Sequence, residues 1–228
     1  ELMNLGWTWK NVSEYVVNSV TPDMTAARLT NMLSETCKQL YMNKPGDDTT
    51  IATVKIVPRK NVCLYSGPPM DKSCDERLVT EFMIPEGKKI VCGGSSANIV
   101  SRVLKQPLMP SIEYSDPEIP PTATIAGIDL VTEGVITLKR TVDILKKYVE
   151  NPTGREVLAS LDLKNGASQI AKMLIEDCTH LYLYIGQSIN PAHQNPDLPF
   201  DLSIKMIILD ELYSLMIKLG KVVKRYYY

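Results

Sequence analysis

The apolar positions of this chain change period along its length, and the changes mark out its elements. Over residues 1–44 the period is helical. Trp7, Val12, Tyr15 and Val16 share one face, and Leu29, Met32, Leu33, Thr36, Leu40 and Tyr41 recur at spacings of three and four. Thr21-Pro22-Asp23 separates the two patterns. Thr21 fits the cap of the second helix, Pro22 its first turn, and Pro45-Gly46 its end. Period two then takes over: Thr50, Ala52, Val54 and Ile56 alternate with Ile51, Thr53, Lys55 and Val57, which predicts a strand directly after Asp47 and Asp48.

From residue 58 onward, short apolar runs alternate with helical stretches. Strands are predicted at 62–65, 88–92, 111–114, 127–131, 181–185 and 222–227. The helices between them run over 72–83, from a cap at Ser95 or Ser96 to Leu104, through Leu138, Val142, Leu145 and Tyr148, over 166–177, and from a cap at Asp201 to a stop at Gly220. Residues 154–165 read as an insert. The alternation predicts an α/β fold. The expected sheet is mostly parallel and doubly wound, with helices on both faces, and follows the two N-terminal helices and their strand.

Composition narrows the function without naming it. The chain is 44% hydrophobic, enough for a core, and its formal net charge of -1 gives no general attraction to nucleic acid or to a membrane surface. No apolar run reaches the length of a membrane span. The five cysteines are odd in number and lack zinc-site spacing, so reduced thiols in a cytoplasm are expected.

Candidate chemistry gathers where strands end. Four predicted strands run into the loops SGPP, CGGSS, VTEG and GQSINPAHQNP, and a parallel sheet brings such loops together at its carboxyl edge. At Gly93, Gly94, Ser95 and Ser96 a strand meets a helix through a glycine pair. Such a junction aims free N–H groups and the positive end of a helix at one point, which suits a small anion. The stretch has neither the GxGxxG spacing nor a Walker lysine, and it also reads as an ordinary capped turn. Asn98 and Asn195 would add amides. His193 and Glu133 could act as acid and base on a phosphorylated small molecule. The alternatives are a loop-fixing histidine and a carboxylate that stabilises a helix dipole. Cys92 is either a thiol activated by the helix N-terminus or a buried strand residue. Asp129 is expected to reach a partner across the sheet, and Lys221, Lys224 and Arg225 to form a solvated edge.

The Asp47-Asp48 pair reads two ways from its residues alone. It is either carboxylate oxygen for a hard cation or a turn whose side chains bond their own backbone. The order Gly-Trp, helix, long helix, GDDTT and apolar strand resembles the end of the stage II sporulation protein E type of serine phosphatase, in the phosphatase 2C class. That resemblance covers residues 1–57. It implies that Asp47 is one metal-binding aspartate, with Asp48 beside it, in a magnesium or manganese centre completed by upstream residues of a parent domain. One aspartate cannot hold a two-metal centre, so this chain alone is expected to bind no metal and to be inactive as a phosphatase. Residues 58–228 resemble the C-terminal extension of some anaerobic bacterial members, on CGGSSANIV, GIDLVTEG and NPAHQNPDLP. The expectation is a regulatory or small-anion-sensing domain. Its partners would be a small anion, the phosphatase domain of the same parent chain and, through Trp7 and Trp9, a second copy of itself.

Overall fold

The computed structural model describes residues 8–44, 48–111, 119–188 and 204–228. Two helices come first, α1 (Trp9–Ser19) and α2 (Ala26–Leu40). The α/β body follows: β1 (Asn61–Ser66), a 3-10 turn (Lys72–Cys74), α3 (Asp75–Met83), β2 (Lys88–Cys92), α4 (Gly94–Leu104), β3 (Met109–Pro110), β4 (Ala123–Ile125) and β5 (Ile128–Thr132). It continues with α5 (Val135–Glu150), α6 (Arg155–Ser160), α7 (Gly166–Glu176), β6 (His180–Ile185), α8 (Ile204–Lys218) and β7 (Val222–Tyr227).

Seven strands form one sheet in the order β3-β4-β5-β2-β1-β6-β7. From β5 to β7 every pairing is parallel, and β3 and β4 add an antiparallel edge beside β5. β1 lies at the centre of the five parallel strands, with Leu64 level with Ile90 on one side and Leu183 on the other. Its side chains divide by parity. Val62 and Leu64 join a core under α5, α7 and α8, while Cys63 and Tyr65 join one under α3 and α4. Strands covered on both faces need apolar residues at every position, which is why they read as continuous runs.

The N-terminal helices attach to this body by polar contacts. Arg28 donates to both carboxylate oxygens of Asp162 at 2.9 Å and, through Nε, to Glu176 at 2.5 Å. Asn31 donates to the Thr153 carbonyl at 2.7 Å, and the Tyr15 and Thr36 hydroxyls join α1 to α2 at 3.0 Å. Trp9 stays 83% exposed.

Several expectations are corrected. The cap of α2 is Thr25, which accepts from the Arg28 N–H; Thr21 lies outside the helix. Residues 48–60 form no strand, although their alternation is real: Val54 and Ile56 are 90% and 95% exposed. Alternation supplies one face of a strand but not the neighbour whose ladder makes it one. Lys55 instead ties this segment to the loop before α2 by donating to the Pro22 and Met24 carbonyls, and the Thr30 hydroxyl of α2 donates to that of Thr53. The predicted strand at 111–114 falls mostly outside the described residues, and the edge pairing lies at β3 and β4. The expected insert at 154–165 contains α6. Among the described residues no helix is long and apolar enough to cross a membrane.

Candidate functional site

Because β5, β2, β1 and β6 are adjacent and parallel, their carboxyl ends lie side by side. This brings the turns after Ser66, Cys92, Thr132 and Ile185 to one edge, as expected. His193, Asn195 and Asp47 lie outside the described residues. Asp48 is exposed. Among the described residues no group of three His, Cys, Asp or Glu side chains gathers to hold a metal.

The glycine turn is built differently from the sequence expectation. The cap of α4 is Gly93, at φ 111°, rather than Ser95 or Ser96. Its N–H donates to the Thr132 carbonyl at 2.9 Å, and its own carbonyl receives the Ala97 N–H at 2.9 Å. A Cβ on Gly134 would meet the Gly93 Cα at 3.4 Å, so the turns after β2 and β5 pass close together. Gly94, Ser95 and Ser96 are the first helical turn, whose N–H groups have no intrahelical acceptor. Gly94 and Ser95 are exposed to solvent. Ser96 is fully buried, and its Oγ accepts the Gly67 N–H at 2.8 Å. Its hydroxyl holds the end of β1 and is not offered to a ligand.

A cavity of about 570 Å³ opens beside this first turn. Pro68, Lys72, Asp75, Ser95, Asn98, Ile99 and Arg102 line it, so the 3-10 turn and α3 form one wall and α4 the other. The size lies within the range of small-molecule sites. Arg102 is 61% exposed at its side chain and donates to Asp75, whose side chain is 7% exposed. Lys72 is exposed. Two of the predicted ligand-binding residues, Ser95 and Asn98, face this space. Gly93, Gly94, Ser96 and Glu133 are not part of its lining. Lys72, Asp75 and Arg102 escaped the sequence reading. Asp75 falls inside the helix predicted over 72–83, and nothing in linear spacing pairs it with an arginine 27 residues on.

Glu133 is half-buried, and its Oε2 is buried with no hydrogen-bond partner among the described residues. Cys92 is 1% exposed, and burial first, then the Glu133 charge, pushes its thiol up to about 12. Cys92 is therefore the inert strand residue of the two readings. Asp129 does reach across the sheet, accepting the Lys89 N–H at 2.7 Å. Lys224 and Arg225 are exposed as expected, whereas Lys221 is not a solvated residue. It donates to the Ile175 and Cys178 carbonyls, and burial lowers its pKa.

The crevice between β1 and β6 is closed by main chain. The Gly186 N–H donates to the Ser66 carbonyl at 3.0 Å, the Ser188 N–H to Pro68 at 3.1 Å, and Lys205 Nζ to the Gly186 carbonyl at 2.5 Å. Among the described residues, open space at this edge lies between α3 and α4. No family model matches this sequence, and no curated protein and no solved structure matches it significantly.

Proposed function

We propose that this chain carries a small-anion-sensing α/β domain, with a doubly wound, Rossmann-like sheet over residues 58–228. In this reading residues 1–57 are the end of a phosphatase 2C-like domain of the stage II sporulation protein E type. The observation that carries the sensing function is the cavity at the first turn of α4. It combines the first-turn residue Ser95, with its backbone N–H and hydroxyl, the Asn98 amide and two cations, Lys72 and Arg102, against one carboxylate. A helix N-terminus stabilises an anion through both its free N–H groups and its dipole. The order of the parallel strands favours the doubly wound reading: taken by their place in the chain, they run third, second, first, fourth, fifth across the sheet.

The phosphatase part rests on the resemblance around Asp47 and Asp48. Magnesium or manganese belongs to the parent domain, and this chain is inactive by itself. Five free cysteines fit a reducing, cytoplasmic setting. The enzyme alternative needs His193, which lies outside the described residues, together with Glu133, whose Oε2 is buried with no hydrogen-bond partner among the described residues.

Titration calorimetry with inorganic phosphate tests the sensing function. One phosphate should bind per chain. Lys72→Ala should weaken it about tenfold without changing Tm, since a hydrogen bond to a charged group contributes about 1.5 kcal/mol or more. Binding that is missing in the wild-type chain, or unchanged in Lys72→Ala, contradicts the proposal.

A further inference from the structure

The geometry points to a docking surface outside that cavity: the open edge of β7, where an extended, acidic segment of a partner protein would add as an eighth strand. This inference is independent of the anion reading. The sheet ends in β3 on one side and in β7 on the other. β3 is two residues long and finishes at Pro110, and such a short edge resists further pairing. β7 is six residues long and is paired on one side, with β6. Two bonds bracket that pairing: the Val222 N–H donates to the Thr179 carbonyl and the Tyr228 N–H to the Ile185 carbonyl, both at 3.0 Å. Main-chain groups alternate in direction along a strand, so Lys224 and Tyr226, like Val222 and Tyr228, turn theirs towards β6. Val223, Arg225 and Tyr227 turn theirs to the open edge, where no strand among the described residues meets them.

The charges beside this edge define the occupant. Lys224 shares a face with the Tyr182 and Tyr226 rings. Its Nζ lies 5.9 Å from the Tyr182 ring centre, and it has no carboxylate partner among the described residues. Arg59 donates to the Tyr182 hydroxyl and to Asn61 Oδ1, again without a carboxylate. On the other face Arg225 is already paired with Asp210 at 2.7 Å. An acid level with Lys224 on an added strand would therefore form a favourable cross-strand pair, with Arg59 behind it. Val222 and Tyr227 are exposed and offer apolar contact to its neighbours. A second copy of this chain fits less well. Two β7 edges related by a two-fold axis run antiparallel. With the outward residues matched, the two central registers put Lys224 opposite Lys224 or Arg225 opposite Arg225. Like charges directly opposite are destabilising, so the cations that keep copies apart select an acidic strand.

The experiment titrates the full chain with blocked peptides of the length of β7 and follows amide hydrogen exchange by NMR. One peptide alternates Val and Glu, a second alternates Val and Lys, and a third is the Val-Glu peptide with its main chain N-methylated so that it cannot pair. Near saturation the Val-Glu peptide should slow exchange of the Val223, Arg225 and Tyr227 amides about tenfold and leave Lys224 and Tyr226 unchanged, because these already donate to β6. A cationic patch that merely attracts acid would not protect alternate amides. The other two peptides should change none of the five. Lys224→Glu, at an exposed position, should reverse the preference between Val-Glu and Val-Lys. No binding of the Val-Glu peptide, equal protection by either of the other two, or binding that slows no outward amide overturns the inference. An unreversed preference in folded Lys224→Glu does so as well. Protection of the same amides that grows with the concentration of the chain alone also overturns it, since the occupant is then a second copy. The wild-type comparison decides the question even if Lys224→Glu does not fold.

Discussion

The residues of the CGGSS turn divide by what a side chain there would meet. Gly93 holds a positive φ that side-chain-bearing residues rarely adopt, whereas a Cβ on Gly94 would meet nothing within 4 Å. The restrictive glycine is therefore the first of the pair, and Gly94→Ala should be tolerated. The two serines differ as sharply. The sequence treats Ser95 and Ser96 as interchangeable caps, but Ser96 alone is turned inward, onto the Gly67 N–H. Ser96→Ala leaves that part-buried donor unpaired and should cost about 1–3 kcal/mol in urea unfolding. Phosphate affinity should stay near the wild-type value. A variant of unchanged stability and weakened phosphate binding would restore Ser96 to the site. The sequence located the turn but not its division of labour. Which hydroxyl points inward depends on Gly67, which reaches the turn only because β1 pairs with β2.

Among elements, α2 is the one held by charge more than by burial, since none of its residues is fully buried. Its Arg28 bridges Asp162 and Glu176, and the guanidinium's hydrogen bond, with help from Lys172 and against some burial, holds the Asp162 carboxyl below its usual range. A lowered folded pKa makes this pairing fully stabilising above the unfolded value of about 3.9. The stabilisation is lost as pH falls through the lower folded value. Arg28→Ala should weaken α2 docking by about 1–3 kcal/mol, with the more exposed Asp162 arm contributing least. Hydrogen exchange should then show faster exchange in α2 and unchanged protection in β1. The wild-type chain should move the same way as pH is lowered through that folded value. Equal protection of α2 in the variant would show that Ala27 and its apolar neighbours hold the helix without the clamp. β1, β2, β5 and β6 were legible because both their faces are covered; β7, an edge strand with no fully buried residue, was legible from its Val and Tyr content instead. The β3–β4 edge was not, since a two-residue strand ending in Pro110 and a three-residue strand beside Gly127 carry no periodic signal. At 48–60 the opposite error arises, because the pattern of a strand is present without a partner to pair with.

Across the whole molecule, the sheet has two halves that meet where β1 pairs with β6. α3 and α4 cover one face of the sheet, and α5, α7 and α8 cover the other, where α5 and α7 reach β2 and β5. Past the last paired residues, Ser66 and Ile185, the two chains stay in contact instead of diverging. A Cβ on Gly186 would lie 2.1 Å from the Gly67 carbonyl oxygen and 2.2 Å from that of Pro68. Both are main-chain atoms, and a rotamer change cannot relieve them. The C-terminus reinforces the same joint: the Tyr228 carbonyl accepts the Met70 and Gln187 N–H groups, and the Tyr228 N–H donates to Ile185. Gly186→Ala should therefore lower stability by about 1–3 kcal/mol, as overpacking does in a well-filled interior. The loss should appear as a lower urea midpoint with an unchanged slope, because the two halves share one sheet and unfold together. Gly94→Ala, in open space at the same edge, is the matched control. A Gly186→Ala chain as stable as that control would mean that the β1–β6 joint can open. The α/β crevice would then become a second place to look for the ligand.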